Sequence, residues 1–451
     1  MRLRTTLPWL PLLPGVLAAQ ASTSLTIYRD GRVLERRSFE AQVPAGISSH
    51  RLPVSGIDLG TLFSPDSAVV VTGATLDPAV DEANALRRSI GRRLAFRVGR
   101  ANGGWDTVVA TVLGTQPERY RMEDGRITFQ RPGLALYPPD VVLERPEVVV
   151  TVRATRARSR LDLAYFSSGA SWSAAYVITL GSRAAGVVGH ATLAAGPLAA
   201  DSAEIQLLAG SVGRVGAPPG RRAYALEAAR VAAPSAPAME EEVGEAHLYS
   251  LPGRWSLTPG LETTALLFEP AEAPYERTFL VDGQLPYYGP LPQLGDEVTL
   301  PVAVRYTIAR RDRAGFGDVP VPGGVARLYQ RDRAGRPQLI GEGAVGHTAP
   351  GQSLEIDAGS AFDLTAKRVQ TSYATRRDSS RMLGFAAYIV TIANAKDSAV
   401  VVDLLERRAG EWSVTASSLP GEKLSSSTTR FRVRVPARGE TTLTYSVRVV
   451  W

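Results

Sequence analysis

The sequence predicts an all-β protein of stacked antiparallel β-sandwich, immunoglobulin-like units, with one short helix and a disordered insertion. Three observations carry that expectation. From residue 22 onward nearly every segment alternates apolar and polar side chains, the period of a strand with one buried face. Gly, Pro, Asp and Asn punctuate the runs, each suited to turns. The composition, 44% hydrophobic and 21% charged, is that of an ordinary globular chain, which argues against wholesale disorder and against a polytopic helical membrane protein.

The first segment, MRLRTTLPWLPLLPGVLAAQAS, places Arg2 and Arg4 before an apolar stretch and ends in the small residues Ala18, Ala19 and Ala21. This is the pattern of an export signal over residues 1–21, cut after Ala19 or Ala21. The apolar stretch is shorter than the ~20 residues of a spanning helix and contains prolines. No later segment is long enough to span as a helix, so none is expected in the mature chain, and the expected location is the periplasm, the outer-membrane surface or the exterior.

Removing Arg2 and Arg4 takes the formal charge from +7 to +5, modest for 451 residues. The basic residues are scattered among acidic ones and do not gather with base-stacking aromatics, so no nucleic-acid partner is expected. Cysteine is absent, which excludes thiol catalysis and leaves core packing, without disulfides, to hold the fold.

Residues 22–145 read as an N-terminal β-rich domain. In SLTIYRDGRVLERRSF the Asp30-Gly31 pair predicts a tight two-residue hairpin turn with positive φ at both positions. Gly103-Gly104 and Asp124-Gly125 predict a meander around residues 92–130. A short helix is expected near 78–90, with Asp77 as N-cap, Pro78 in the first turn, Gly91 closing it, and Val80, Ala83, Leu86 and Ile90 sharing the buried face.

Residues 146–345 read as a central β-sandwich interrupted by a flexible excursion over 214–246, rich in Pro, Ala and split charge. Residues 346–451 read as a C-terminal immunoglobulin-like domain. Within AYFSSGASWSAAYVITL, residues 164–180, two alternating runs flank a strand-to-strand turn in which Gly169 supplies backbone freedom and Trp172 an apolar anchor. Ser167, Ser168, Ser171 and Ser173 lie outside any Gly-x-Ser-x-Gly, and the chain has no Ser-x-x-Lys.

The same stretch, with GHATLAAGPLAADSAEIQLLAGSVGRV, resembles the bacterial domain-of-unknown-function family 4139, related to mucoidy-inhibitor-A-like proteins. VPVPGGVARLYQRDRAGRPQLIGEGAVGHTAPGQSLEIDAGSAFDLTAKRVQTSY, TIANAKDSAVVVDLLER and TTLTYSVRVVW carry the resemblance over about residues 146–451. SLTIYRDGRVLERRSF extends it more weakly. It implies an exported, β-rich protein and brings no catalytic residue with it.

Nothing in the pattern nominates catalysis. His50, His190, His247 and His347 are far apart, with no metal-binding spacing, and the Asp332-Arg333-Ala334-Gly335 and 312–318 segments read as turns, so no metal and no cofactor is expected. Tyr287 and Tyr288, held between prolines, are the candidate ligand platform, since flat rings on a stiff loop bind sugar or peptide at low entropic cost. The leading expectation is an exported, non-catalytic interaction or structural module of the cell envelope, its partner an envelope protein or polysaccharide. Two rivals stand beside it: a hydrolase with two carboxylates assembled in space about 5–10 Å apart, and an outer-membrane barrel suggested by the alternation Tyr445, Val447, Val449, Trp451. Two acids facing one cleft would mark the hydrolase.

Overall fold

The computed structural model describes residues 22–54, 56–77, 80–100, 103–142, 146–210, 238–244, 246–283, 294–310, 315–378 and 381–450. The expected export signal and the Tyr287-Tyr288 platform therefore lie outside the described residues, as does 214–237 of the expected excursion. Among the described residues the chain is all-β: six sheets and one short α-helix, and none of the sheets closes into a barrel. No described helix is long and apolar enough to cross a membrane.

Two compact units emerge, one of residues 1–171, 195–206 and 253–261, the other of 172–194, 207–252 and 262–451. This differs from the expected cuts near 145 and 345 because strand pairing crosses both. The Glu147–Ala154 strand pairs with Gly46–Leu52 and Val69–Asp77. Strands Tyr275–Asp282 and Val302–Ile308 pair with Val400–Arg407 and Leu354–Ser360.

In the first unit, strands Arg158–Ser168, Arg32–Val43 and Thr23–Tyr28 are neighbours in one sheet with residues 200–206. Leu161, Leu163 and Tyr165 pack with Val148, Val150 and Val152 of the three-stranded sheet in one core. The opening hairpin forms, but only Gly31 takes positive φ, at +88°. Asp30 instead accepts from the Arg32 backbone N–H at 3.2 Å and its Nε at 2.8 Å, an Asx-type turn that makes a second left-handed residue unnecessary.

The helix also differs from its expected form. It spans Glu82–Arg88, and Asp81 caps it by accepting from Asn84 N at 2.9 Å. Asp77 is the last residue of a strand and is held by Arg88 at 2.7 Å. With only two turns, the helix buries Ala85 and Leu86, while Val80 and Ile90 fall outside it and are exposed. Leu86 covers Leu94, Phe96, Ala110, Val112 and Tyr120 of the five-stranded meander.

In the second unit, strands Glu262–Leu266, Ala185–Ala195, Ala170–Leu180, Gly324–Arg331 and Pro337–Val345 form one sheet. The Ala170–Leu180 and Gly324–Arg331 strands run parallel, as do Tyr275–Asp282 and Val400–Arg407, so the sheets are not purely antiparallel. Part of the expected excursion is ordered: Met239–Val243 pairs with Ala246–Ser250, and Glu240 meets His247 Nδ1 at 2.7 Å. A C-terminal sandwich follows. One sheet has the order Leu354–Ser360, Val302–Ile308, Tyr275–Asp282, Val400–Arg407, Thr428–Val435, Gly421–Ser425; the other, Glu297–Leu300, Leu364–Asp378, Arg381–Asn394, Gly439–Val450, Glu411–Ser417.

The 164–180 stretch resolves into a sheet crossing. Arg158–Ser168 pairs within the first sheet and Ala170–Leu180 within another, with Gly169 alone between them. Gly169 sits at φ +121°, and a Cβ there would lie 2.8 Å from Pro197 Cγ, so both conformation and space require glycine. Trp172 is 3% exposed, donates from Nε1 to Leu208 O at 3.2 Å and tilts against Tyr249. It is a core anchor, and Trp172→Ala is expected to lower stability by about 3–5 kcal/mol. Urea denaturation measures this; an unchanged midpoint would contradict the placement.

Candidate functional site

Two places in the C-terminal sandwich concentrate polar chemistry: a buried charge group between its sheets and a groove at their edges. Strand alternation builds the first. In Leu364–Asp378 the inward positions are Leu364, Ala366, Arg368 and Gln370; in Val400–Arg407 they are Val402, Leu404 and Glu406. Tyr388 and Tyr445 face inward from two further strands of the Arg368 sheet.

Arg368 and Glu406 have no exposed side-chain surface and lie 3.3 Å apart. Arg408 Nε donates to Glu406 Oε1 at 2.9 Å, and Tyr445 Oη donates to Oε2 at 2.7 Å. Arg408 Nη2 donates to Tyr388 Oη at 3.0 Å, and Arg368 Nη1 to Gly283 O at 2.6 Å. The group holds two guanidiniums against one carboxylate. The Tyr388 ring, 3.9 Å from the Arg368 guanidinium carbon, spreads part of the excess positive charge over its π face.

Burial, reinforced by the Glu406 charge, raises the Tyr445 phenol well above its ordinary value. Burial alone would lower Arg408; Glu406 together with Tyr388 and Tyr445 outweighs that and raises it. A carboxylate with both oxygens occupied and no exposed surface cannot meet a substrate. The group is a bolt between sheets.

The other buried carboxylates are also committed. Through Oε2, Glu35 meets Arg37 at 2.7 Å and accepts from Tyr165 Oη at 3.1 Å, while its Oε1 is buried without a hydrogen-bond partner. Asp403, raised by burial, lies 3.6 Å from Arg430 and 3.7 Å from Arg432. The histidines serve locally: His50 bonds Ser48 at 2.8 Å, and His347 Nδ1 accepts from Gly323 N at 3.2 Å. His190 is lowered by burial. Among the described residues no group of three or more His, Cys, Asp or Glu could hold a metal ion. Asp332 accepts from Ala334 N and Arg336 N, both at 2.9 Å, closing its turn. Ser167 is buried without a hydrogen-bond partner, so no base activates it.

The groove lies where the Glu411–Ser417 and Gly421–Ser425 strands, the edges of the two sheets, are joined through Ser418-Leu419-Pro420. Its volume is about 720 Å³, and Trp412, Thr415, Ser417, Ser418, Lys423 and Thr429 are in its lining. Both edges carry bulges, at Val414/Ala416 and Lys423/Ser425. Bulges interrupt a pairing edge and re-aim side chains, here next to Thr415 and Lys423. Trp412 anchors the floor, its Nε1 donating to Ser426 O at 3.1 Å. Ser417 Oγ donates to Leu419 O at 2.7 Å, and Ser418 Oγ accepts from Thr444 N at 3.0 Å. The lining contains no carboxylate and no imidazole.

Of the residues singled out from sequence, Gly169 and Trp172 come together at the sheet crossing, away from the groove lining. The sequence reading passes over Arg368 and Glu406, although both occupy inward positions of alternating strands, which is a readable signal. The groove has no such signal, because bulges break the period.

Two outcomes follow. Glu406→Gln, which leaves two buried guanidiniums uncompensated, is expected to cost about 3–5 kcal/mol in urea denaturation; a loss below about 1 kcal/mol would contradict the bolt. Burial and the neighbouring Glu118 push Tyr120 up to about 12, and Tyr445 is raised as well. Their folded-state pKa values exceed the unfolded value of about 10, so their contribution is complete below about pH 10 and is lost as pH rises through the folded values. The denaturation midpoint should therefore hold up to about pH 10 and fall between about pH 10 and about pH 12; a flat midpoint across that window would contradict this.

No family model matches the chain, and no curated protein matches it.

Proposed function

We propose that the chain is an exported, non-catalytic β-sandwich protein of the bacterial cell envelope that holds a polar envelope polymer in the groove between Trp412 and Thr429. The observation that carries this reading is the groove's chemistry. Its lining offers hydroxyls, one ammonium and an indole floor, and neither a carboxylate nor an imidazole. Hydroxyls that both donate and accept suit a glycan, and the ammonium of Lys423 suits a carboxylate or phosphate on it. A glycan is favoured over a protein strand because the bulged edges oppose strand addition.

The hydrolase alternative calls for two acids in one cleft. Glu35, Asp403 and Glu406 are instead each bound to arginine and absent from the groove lining. Export rests on the Arg2-Arg4 apolar leader, and the envelope setting on the resemblance over residues 146–451.

Incubating the mature chain with purified peptidoglycan and with envelope polysaccharide tests the reading. Saturable retention on one of them is expected, without release of reducing ends. Thr415→Ala combined with Lys423→Ala should weaken retention about tenfold or more, each lost contact being worth about 1 kcal/mol. Released reducing ends that disappear on substituting one carboxylate would overturn it in favour of the hydrolase.

A further inference from the structure

The five-stranded meander of the first unit buries one face and leaves the other uncovered. Its buried face carries Leu94, Phe96, Ala110, Val112 and Tyr120. The register fixes what stands on the opposite face. Gly99 is opposite Trp105, Arg97 is opposite Thr107 and Leu134, and Ala95 is opposite Val109 and Leu136. Thr111 is opposite both Arg93 and Arg121, and Arg121 is opposite Ile127. Trp105 is 56% exposed, Leu134 63% and Ile127 53%; Leu136 and the adjoining Phe129 are exposed too.

Cations are interleaved with these apolar groups. Arg93 is paired with Glu123, both well exposed. Arg97 and Arg121 are exposed and make no ion pair among the described residues. No carboxylate occupies an outward position on the strands of this face. The sheet thus presents an indole, branched aliphatic groups and two unpaired guanidiniums on one surface.

We propose that this face docks on an anionic lipid surface, with Trp105, Ile127, Leu134 and Leu136 entering the headgroup boundary and Arg97 and Arg121 meeting lipid phosphates. The spacing of the cations favours a membrane over a single acidic partner. Arg97 and Arg121 stand on strands separated by a third, about 10 Å apart across the sheet and, by register, four residues or about 13 Å apart along it. They do not converge on one carboxylate, whereas a field of headgroup phosphates supplies partners at any spacing. Their long aliphatic stems let the charged heads stay at phosphate level while the apolar groups go deeper. Indole rings prefer the same boundary. This surface is independent of the groove: either could fail without the other.

Flotation of the full mature chain with vesicles tests the proposal. Vesicles of phosphatidylcholine containing one quarter phosphatidylglycerol should carry the protein, pure phosphatidylcholine vesicles far less, and high salt should release it. Arg97→Gln should weaken the partition about fivefold, and adding Arg121→Gln about twentyfold or more. Trp105→Ser with Leu134→Ser should weaken it at least tenfold. All four side chains are exposed, and unchanged thermal melts confirm that the variants fold. Absence of flotation, or variants that float like the parent chain, would overturn the proposal. So would a purified acidic protein that binds this face while vesicles do not, since the surface would then be a protein interface.

Discussion

The C-terminal sandwich depends on a charged group sealed between its sheets. Arg368, Tyr388 and Tyr445 come from one sheet, while Glu406 comes from the other and Arg408 follows it by two residues. Apolar packing alone would allow the sheets to slide with little change in buried area, because Val and Leu make non-directional contacts. The carboxylate of Glu406 removes that freedom: only one alignment satisfies Arg368, Arg408 and Tyr445 together. A buried ion pair adds little net stability over apolar residues of the same volume, so its physical value here is register. In a chain without cysteine, no disulfide can do this work.

That register also places the proposed binding groove. The groove is walled by the outermost strand of each sheet, so the distance between Thr415 and Lys423 is set by how the two sheets lie on one another. Three residues of the chain separate Arg408 from Trp412, and the Arg408 N–H donates to Ser427 O at 2.9 Å, tying the bolt to the groove's rim. Gly283, whose carbonyl accepts from Arg368, and Gly295, whose N–H donates to Gln370 O at 3.1 Å, are held by the same strand.

Much of this was legible in the sequence. Period-two alternation announces strands and names their inward residues, as at Tyr445, Val447 and Val449, all buried. Gly169 and Trp172 stand out as turn and anchor, though sequence cannot say that the chain crosses between sheets there, because both a hairpin and a crossing join two alternating runs. The helix shifts because Asp77 and Asp81 are both capable caps, and the choice falls to Arg88, a long-range partner that claims Asp77. The domain cuts move because pairing between distant strands, such as Tyr275–Asp282 with Val400–Arg407, leaves no local mark. The groove is hidden for the same reason, compounded by bulges that put Thr415 and Lys423 out of period.

We propose a protein that works by surfaces, with the buried carboxylates Glu35, Asp403 and Glu406 paired with arginines that hold the fold. Hydrogen–deuterium exchange of the mature chain, measured with and without an extract of envelope polysaccharide, tests that claim most directly. The account expects new protection confined to residues 411–429, with amides around Arg368 and Glu406 unchanged. Protection centred on a different cleft lined by Asp or Glu, with residues 411–429 unaffected, would contradict it.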